Sequence, residues 1–149
     1  MPLFGARIDY ALRALIDLSM QTTQKPCQSR DIAARHGLQG PYLDQILVVM
    51  KREGLVRSVR GPGGGYVIAR APRTVTVLDV VRAVGGPGLL MDDPGDLPDP
   101  SAEPAAYTVH RLFRRIEAHV AAWLEGVSVA DLVAERERLD ESLSIMPGI

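Results

Sequence analysis

The spacing of apolar residues along the chain predicts six helices and one pair of strands. Helical periodicity or a capping signature marks residues 9–18, 29–38, 42–53, 76–85, 105–125 and 128–143. Between these helices, residues 55–59 and 66–68 are rich in β-branched side chains that alternate with others, which is typical of strands. The order of the elements predicts a mainly α fold with a small β-hairpin near its middle.

The second and third predicted helices lie close together and form a helix-turn-helix. Ser29 is in a position to cap the first of the pair, and Gly37 can take the positive φ that ends it. Pro41 suits the first turn of the next helix. The apolar face of that next helix consists of Leu43, Ile46, Leu47 and Met50. Such a pair can place its second helix in a major groove, although plain packing units also contain helical pairs.

A glycine-rich hairpin follows this pair directly. Its loop has four glycines and one proline at positions 61–65, carries no acidic residue and has Arg57 and Arg60 at its base. A loop with so little side-chain bulk can approach a phosphate backbone or enter a minor groove, where an arginine meets a strongly negative potential. The alternative is an ordinary hairpin turn. Helix, turn, helix and hairpin in this order predict a winged helix.

Polar, basic and glycine residues of this unit are the predicted DNA contacts. Gln side chains can read adenine edges, while Asp44 can accept from a cytosine amino group or repel phosphate and so sharpen selectivity. The full predicted set is Arg30, Gln39, Pro41, Tyr42, Asp44, Gln45, Lys51, Arg57, Arg60, Gly61, Gly63, Gly64 and Gly65.

The charge distribution favours a polyanionic partner for the first half of the chain. The 149 residues have a formal net charge of only −1. Residues 1–82, however, hold twelve Lys and Arg against six Asp and Glu, whereas residues 83–149 hold five against twelve. We therefore expect the first half to bind double-stranded DNA. The alternative for this fold is a winged helix that makes only protein contacts.

Other classes of protein leave no recognisable signature. Phosphate-binding glycine loops lead into a helix or end in Gly-Lys-Ser/Thr, but this loop leads into a predicted strand at residues 66–68. His36 lies in one predicted helix and His110 and His119 lie nine residues apart in another, and no Ser/His/Asp set or carboxylate pair has motif-like spacing, so we do not expect an enzyme. No apolar run reaches the length of a membrane span, which predicts a cytoplasmic protein without a membrane partner.

The C-terminal part of the chain predicts a homodimer. Along residues 105–125 an apolar stripe recurs every three to four positions and is too broad for one small domain to cover. The alternative is a helix that covers only its own domain. The predicted dimer contacts are Val109, Leu112, Phe113, Ile116, Val120 and Trp123.

Three regions follow from these patterns. We predict a winged-helix DNA-binding domain over residues 1–84 and a dimerisation helix followed by a C-terminal helix over residues 105–149. Residues 85–104, which are rich in Pro, Gly and Asp, form a linker or an effector loop between them.

Together these motifs resemble the Rrf-two family of bacterial winged-helix transcription regulators over nearly the whole chain. The most specific matching segments are residues 9–13 (DYALR), 42–45 (YLDQ) and 54–66 (GLVRSVRGPGGGY). The resemblance implies a homodimer with crossed long helices, recognition by residues 39–45 and a wing whose Arg60 reaches a minor groove. It also implies transcriptional regulation, which we expect to be repression at a pseudo-palindromic operator.

The chain departs from the cluster-binding members of this family. Those members carry three cysteines before or within the long helix, but here no cysteine follows Ala83, and only His110 stands where they can place a histidine ligand. We therefore expect no cofactor, and control by a small-molecule or protein effector near residues 85–110. The one cysteine, Cys27, lies in a segment expected to be exposed, and either acts as a redox sensor or is inert.

Overall fold

A computed structural model describes residues 4–21, 25–86, 88 and 95–146. Within these residues the chain forms the helices and strands that the sequence pattern predicts, with boundaries within three residues of the predicted ones. In chain order they are α1 (Ala6–Ser19), α2 (Ser29–His36), α3 (Gly40–Arg52), β1 (Val56–Val59), β2 (Gly65–Ile68), a single 3-10 turn (Pro72–Thr74), α4 (Val77–Gly85), α5 (Pro104–Glu125) and α6 (Val129–Ser144).

Helix α1 lies at the centre of the apolar core. It packs against α2, α3 and β2 and also against α4 and α6. Its Ala11, Ala14 and Leu15 are completely buried, as are Leu43 and Leu47 of α3. Burial of this kind contributes about 1.5–3 kcal/mol for each large apolar side chain. Because α1 touches both halves of the molecule, it joins the helix-turn-helix to the C-terminal helices.

Helices α4 and α6 begin at matching capping boxes, as the sequence predicts. The hydroxyl of Thr76 accepts from the Asp79 N–H while the Asp79 carboxylate accepts from the Thr76 N–H, and Ser128 and Asp131 repeat the arrangement. The two helix starts also pair with each other through an isolated bridge between Thr76 and Ser128. The fully buried Val129 therefore belongs to the same core as α1, so α6 returns to the N-terminal half of the molecule.

The predicted cap of α2 is wrong. Ser29 is the first helical residue, and the N-cap position is held by Gln28, whose side chain makes no capping hydrogen bond. The reason is tertiary, since Cys27 pairs with Tyr66 of β2 through two backbone hydrogen bonds of 2.9 and 2.8 Å. This pairing keeps the chain extended up to Gln28 and sets where the helix can begin. Gly37 ends the helix with a φ of 63°, as predicted.

Helix α5 is poorly covered by the rest of the chain. In the described structure, Leu124 is the one fully buried residue of its 22. Gly85 belongs to α4 and Pro104 to α5, so the predicted linker is shorter by one residue at each end. Arg114 of α5 donates to the carbonyl oxygen of Gly95 and so ties part of this linker to the helix. Residues 87 and 89–94, within the predicted effector loop, lie outside the described residues.

Candidate nucleic-acid interface

Helix α3 presents a polar face away from the core. Leu43, Ile46, Leu47 and Met50 are buried, which confirms the predicted inner face. The opposite face exposes four of the predicted DNA contacts, namely Pro41, Asp44, Gln45 and Lys51. We call the hairpin of β1 and β2 the wing. We call α2, α3 and the wing together the reading head. The face has the length and chemistry that a recognition helix needs in a major groove.

Two further exposed residues lie on this face and were missed by the sequence reasoning. Val48 is 58% exposed, and Arg52 is exposed at the end of α3. Val48 stands three and four residues after Gln45 and Asp44, so the helical period alone would have placed it beside them. An exposed valine there offers a methyl surface of the kind that contacts the thymine methyl group.

The wing is a two-stranded antiparallel hairpin closed by a tight turn. Val56 pairs with Ile68, and Val59 pairs with Gly65. In the loop the Gly64 N–H donates to the Gly61 carbonyl oxygen at 2.9 Å, and Gly63 has a φ of 73°. With Pro62 before Gly63, this is the sequence and hydrogen bond of a type II turn. Gly61 and Gly63 are exposed at the tip.

Gly64 and Gly65 are required to be glycine by packing within the protein. A Cβ on Gly64 would collide with the Val59 carbonyl oxygen, and a Cβ on Gly65 would collide with the Cys27 carbonyl group. Gly64 is buried and Gly65 is half-buried, so neither glycine presents the open surface that the tip does. The structure thus gives these two predicted DNA contacts a second role, which is to let the wing close and dock against the segment before α2.

Four cations of the reading head are open to solvent. Arg30 at the start of α2, Lys51 of α3 and both wing arginines, Arg57 and Arg60, are exposed. None of the four makes a salt bridge to a described residue. Their charges therefore remain available to phosphates, whose neutralisation releases counterions and provides most non-specific affinity for DNA.

Tyr10 and Tyr42 join α1 to the start of α3. The two rings meet edge to face, with centroids 5.0 Å apart and an interplanar angle of 72°. The Gln39 N–H donates to the Tyr10 hydroxyl oxygen at 3.0 Å. Tyr42, a predicted DNA contact, is half-buried, and Gln39 is exposed. Tyr10 therefore makes a polar contact as well as a packing contact with the start of α3.

A buried carboxylate fastens α1 to the end of α2. Nε and Nη2 of Arg35 donate to the two carboxylate oxygens of Asp17 at 2.8 and 2.7 Å, and Nε2 of His36 lies 2.7 Å from Oδ2. Burial alone would raise the pKa of Asp17, but the hydrogen bonds from Arg35 and His36 outweigh it and hold the pKa below its ordinary value. The same contact raises the pKa of Arg35. The reading head is thus attached to α1 by an ionised, hydrogen-bonded cluster.

Cys27 is buried, which contradicts the expectation of an exposed loop cysteine. Its thiol donates to the Lys25 carbonyl oxygen at 3.7 Å, and its backbone pairs with Tyr66 of β2. The pairing with the wing is the physical reason for the burial, because it draws the segment before α2 onto the hairpin. Residues 22–24, which precede this segment, lie outside the described residues.

The predicted dimer stripe of α5 is largely open to solvent. Trp123 is 70% exposed, and Val109, Leu112, Phe113 and Ile116 are between 37 and 50% exposed. Val120 packs partly against the core. Five large apolar side chains along one helix make a contiguous patch of the kind that marks a protein contact. The alternative, in which α5 covers only its own domain, does not account for their exposure.

The donor set of the chain does not fit an iron–sulfur cluster. Such clusters are held mostly by cysteine thiolates, and the full sequence has one cysteine. Cys27 is paired with the wing, whereas His110 belongs to α5. Within the described part of the chain, no three His, Cys, Asp or Glu side chains are grouped so that they could hold a metal ion. In the same residues, no helix is both long and apolar enough to cross a membrane.

Comparisons with known proteins agree with the architecture. A family model described as "Rrf2: Iron-dependent Transcriptional regulator" matches residues 4–135. ORF2 of Azotobacter vinelandii, which carries the name of an HTH-type transcriptional regulator, is 34% identical over 131 residues, or 88% of this chain and 79% of the relative. The HTH-type transcriptional regulator IscR of Xenorhabdus nematophila is 30% identical over 136 residues, with the same two coverages.

Two solved structures show the same fold at comparable identity. IscR of T. potens has a TM-score of 0.71 at 29% identity and covers 91% of this chain and 88% of its own. CymR of Staphylococcus aureus has a TM-score of 0.67 at 26% identity and covers 87% of this chain and 96% of its own. This chain therefore shares with these regulators both the winged-helix fold and a role other than catalysis.

Proposed function

We propose that this chain, which belongs to the Rrf2 family of DNA-binding transcription regulators, binds a pseudo-palindromic operator as a homodimer. The observation that carries the proposal is the exposed apolar stripe of α5. Covering the exposed part of Trp123 alone would contribute about 3 kcal/mol at about 25 cal/mol per Å² of apolar surface. A second copy of α5 presents the same stripe and can cover it. Two-fold symmetry then gives two reading heads and two half-sites.

Within each half-site we propose a division of labour between α3 and the wing. Gln45 and Asp44 lie on the outer face of α3 and read base edges, with Gln39, Pro41 and Tyr42 at the helix start and Lys51 near its end. Arg57 holds a phosphate, and Arg60 enters the minor groove beside the exposed glycines of the tip. Arg30 meets phosphate from the start of α2.

We propose repression as the mode of regulation and the cytoplasm as its place. Repression requires only that a tightly bound dimer blocks access to a promoter, whereas activation also requires a favourable contact with the transcription machinery. The curated relatives named above come from bacteria, whose chromosome lies in the cytoplasm. A transcription assay on a template that contains the operator decides the sign. Less transcript at saturating protein supports repression, and more transcript contradicts it.

We propose that this regulation does not use an iron–sulfur cluster. The donor set described above supports this, since a dimer would bring two cysteines in total, one beside each reading head. Control would then come from a small molecule or protein that binds near residues 85–110, at the border between α4 and the dimer helix. Such an effector acts only if it prefers one arrangement of the two reading heads over the other.

The oligomeric state and the DNA target can be tested together. The molar mass of the purified protein is measured by light scattering at micromolar concentration, and the protein is then used to select DNA duplexes from a random library. We expect a dimer that enriches two inverted half-sites about one helical turn apart or a multiple of it. Its affinity should fall steeply with salt. A monomer, or enrichment of a single unrepeated site, would contradict the homodimer.

The absence of a cluster has its own test. Protein prepared without oxygen should contain no iron and should show no absorbance near about 400 nm, where cysteine-ligated iron absorbs. It should still bind the enriched duplex in that state. A brown preparation whose DNA affinity changes when the colour is bleached would show that this part of the proposal is wrong.

A thiol switch at Cys27 is a second candidate for the signal. One solved relative, at 25% identity, is described as an oxidised form of Staphylococcus aureus CymR. Here oxidation of Cys27 would act on the segment that docks the wing, because the Cys27 backbone pairs with Tyr66. Its burial requires local opening first. Peroxide should then weaken DNA binding slowly in the wild type and leave Cys27→Ser unaffected. Equal sensitivity of both proteins removes this candidate.

A further inference from the structure

We propose that Tyr10 is a positioning residue, which holds the start of α3 in the orientation that sequence-specific DNA binding requires. The inference rests on the proposed DNA contacts of α3, and it adds a residue of α1 that is not itself among those contacts. It explains why a tyrosine, rather than another apolar residue, stands on the core-facing side of α1.

The contact joins the Tyr10 side chain to the first backbone group of the recognition helix. The Tyr10 hydroxyl oxygen accepts from the Gln39 N–H at 3.0 Å. Gln39 is the N-cap residue of α3, and its own side chain makes no capping hydrogen bond. The ring of Tyr10 meets the ring of Tyr42, one turn into the helix, edge to face. The hydroxyl and the ring therefore fix two successive points at the start of α3.

Tyr10 belongs to a polar ridge on α1 that faces the helix-turn-helix. Tyr10, Arg13 and Asp17 are three and four residues apart, which places them on one side of the helix. Nη1 of Arg13 donates to the carbonyl oxygen of His36 at 3.3 Å, and Asp17 binds Arg35 and His36. These two attachments end at α2, so Tyr10 is the member of the ridge that reaches α3.

Orientation of α3 matters more for specific binding than for non-specific binding. Phosphate contacts tolerate small rotations of the protein, whereas hydrogen bonds to base edges need the helix in register with the groove. Loss of the Tyr10 hydroxyl would remove this hydrogen bond and leave the start of α3 oriented by apolar packing alone, that of the two rings and of the buried Leu43. Affinity for the selected sequence should then fall while affinity for other duplexes changes little.

The test compares Tyr10→Phe with Ser144→Ala, a matched loss of one hydroxyl hydrogen bond on α6, away from the reading head. Each full-length protein is titrated against the duplex that the wild type enriches from a random library and against a scrambled duplex of the same composition. For Tyr10→Phe we expect the ratio of the two affinities to fall about three- to tenfold, the usual effect of one hydrogen bond. For Ser144→Ala the ratio should not change.

A second measurement tests the hydrogen bond between the Gln39 N–H and the Tyr10 hydroxyl directly. Hydrogen exchange of the Gln39 amide should become faster in Tyr10→Phe, while the amides of Ile46 and Leu47 in the middle of α3 keep their wild-type rates. The dimer and the melting temperature should stay close to those of the wild type, because the ring still packs on Tyr42. This local change separates positioning from a general loss of structure.

Three results would overturn the inference. An unchanged affinity ratio would do so, and so would unchanged exchange at Gln39. An equal loss of affinity on both duplexes would show instead that the hydroxyl touches the DNA backbone. A wild-type protein that selects no sequence would count against the proposed function. The exchange rate of the Gln39 amide would still show whether the Tyr10 hydroxyl holds the start of α3.

Discussion

At the scale of single residues, the two wing arginines should have different effects on DNA binding. Arg60 follows β1 at the base of the exposed tip, and Arg57 lies within the strand. Arg60→Ala should weaken binding to the selected duplex by about 1–3 kcal/mol and relax its sequence preference, because a groove contact is lost. Arg57→Ala should weaken binding uniformly and reduce the salt slope by about one. Titrations at several salt concentrations measure both effects.

The control for these changes is Arg138→Ala, which removes an exposed arginine of α6. It should alter neither the sequence preference nor the salt slope. If Arg60→Ala and Arg138→Ala behave alike, the assignment of Arg60 to the minor groove is wrong.

The Asp17 cluster should make stability depend on pH. Since the pKa of folded Asp17 lies below its ordinary 3.8, ionisation stabilises the fold above that pH, and this stabilisation is lost as the pH falls through the lowered pKa. Asp17→Asn should lower the free energy of unfolding by about 2 kcal/mol at neutral pH, because Arg35 and His36 lose a charged acceptor. The difference from wild type should shrink as the pH falls below 3.8 and through the lowered pKa of Asp17.

Urea unfolding at both pH values measures this difference. Asp140→Asn is the matched control, because it removes a carboxylate from an exposed pair with Arg136 on α6. Exposed pairs of this kind contribute about 0.5 kcal/mol or less. A gap between wild type and Asp17→Asn that persists undiminished in acid would mean that the Asp17 charge is not its source.

At the scale of elements, the wing depends on glycines for two separate reasons. Gly64→Ala would force a Cβ against the backbone carbonyl of Val59, which cannot move without breaking the hairpin. Gly63→Ala places its Cβ in open space and only strains a φ of 73°. The first change should abolish DNA binding, while the second should cost about 1–2 kcal/mol of wing stability.

DNA titration and thermal unfolding of each variant separate these effects from global unfolding. Both proteins should remain dimeric and helical, because the core around α1 does not include the wing tip. Equal losses in Gly63→Ala and Gly64→Ala would show that backbone conformation, rather than the close contact at Gly64, is what the wing requires.

At the scale of the whole molecule, DNA binding should depend on the dimer helix although it lies outside the reading head. Ile116→Glu with Trp123→Glu places two charges on the exposed stripe, where burial against a second copy would desolvate them. The variant should be monomeric by light scattering and should lose most of its affinity for the paired half-sites. The single chain should still fold with its helices intact, because both residues are exposed in it.

The control for the dimer is Leu139→Glu, which adds a charge at a 54% exposed apolar residue of α6, off the α5 stripe. It should stay dimeric and keep its affinity. If the α5 variant also remains dimeric, the stripe is not the interface and the arrangement of two reading heads must be sought elsewhere.

The order and kind of the secondary-structure elements were determined by the sequence itself. Helical spacing, two capping boxes, Gly37 after α2 and the proline–glycine turn of the wing act over a few residues, so they can be recognised without knowing the fold. The exposed stripe of α5 was predictable for the same reason, since a helix of known period shows which side chains share a face. The segments that carry the family resemblance, residues 9–13, 42–45 and 54–66, are also short and local.

Contacts between distant parts of the chain were decided only by the tertiary structure. Asp17 and Arg35 are 18 residues apart in sequence, and Tyr10 and Gln39 are 29 residues apart, so no local sequence pattern predicts either hydrogen bond. The burial of Cys27 and the close contact at Gly65 both arise because β2 pairs with the segment before α2. Local sequence determines whether each segment forms a helix or a strand. The packing of these elements around α1 determines which polar groups form hydrogen bonds with each other, because buried polar groups need partners.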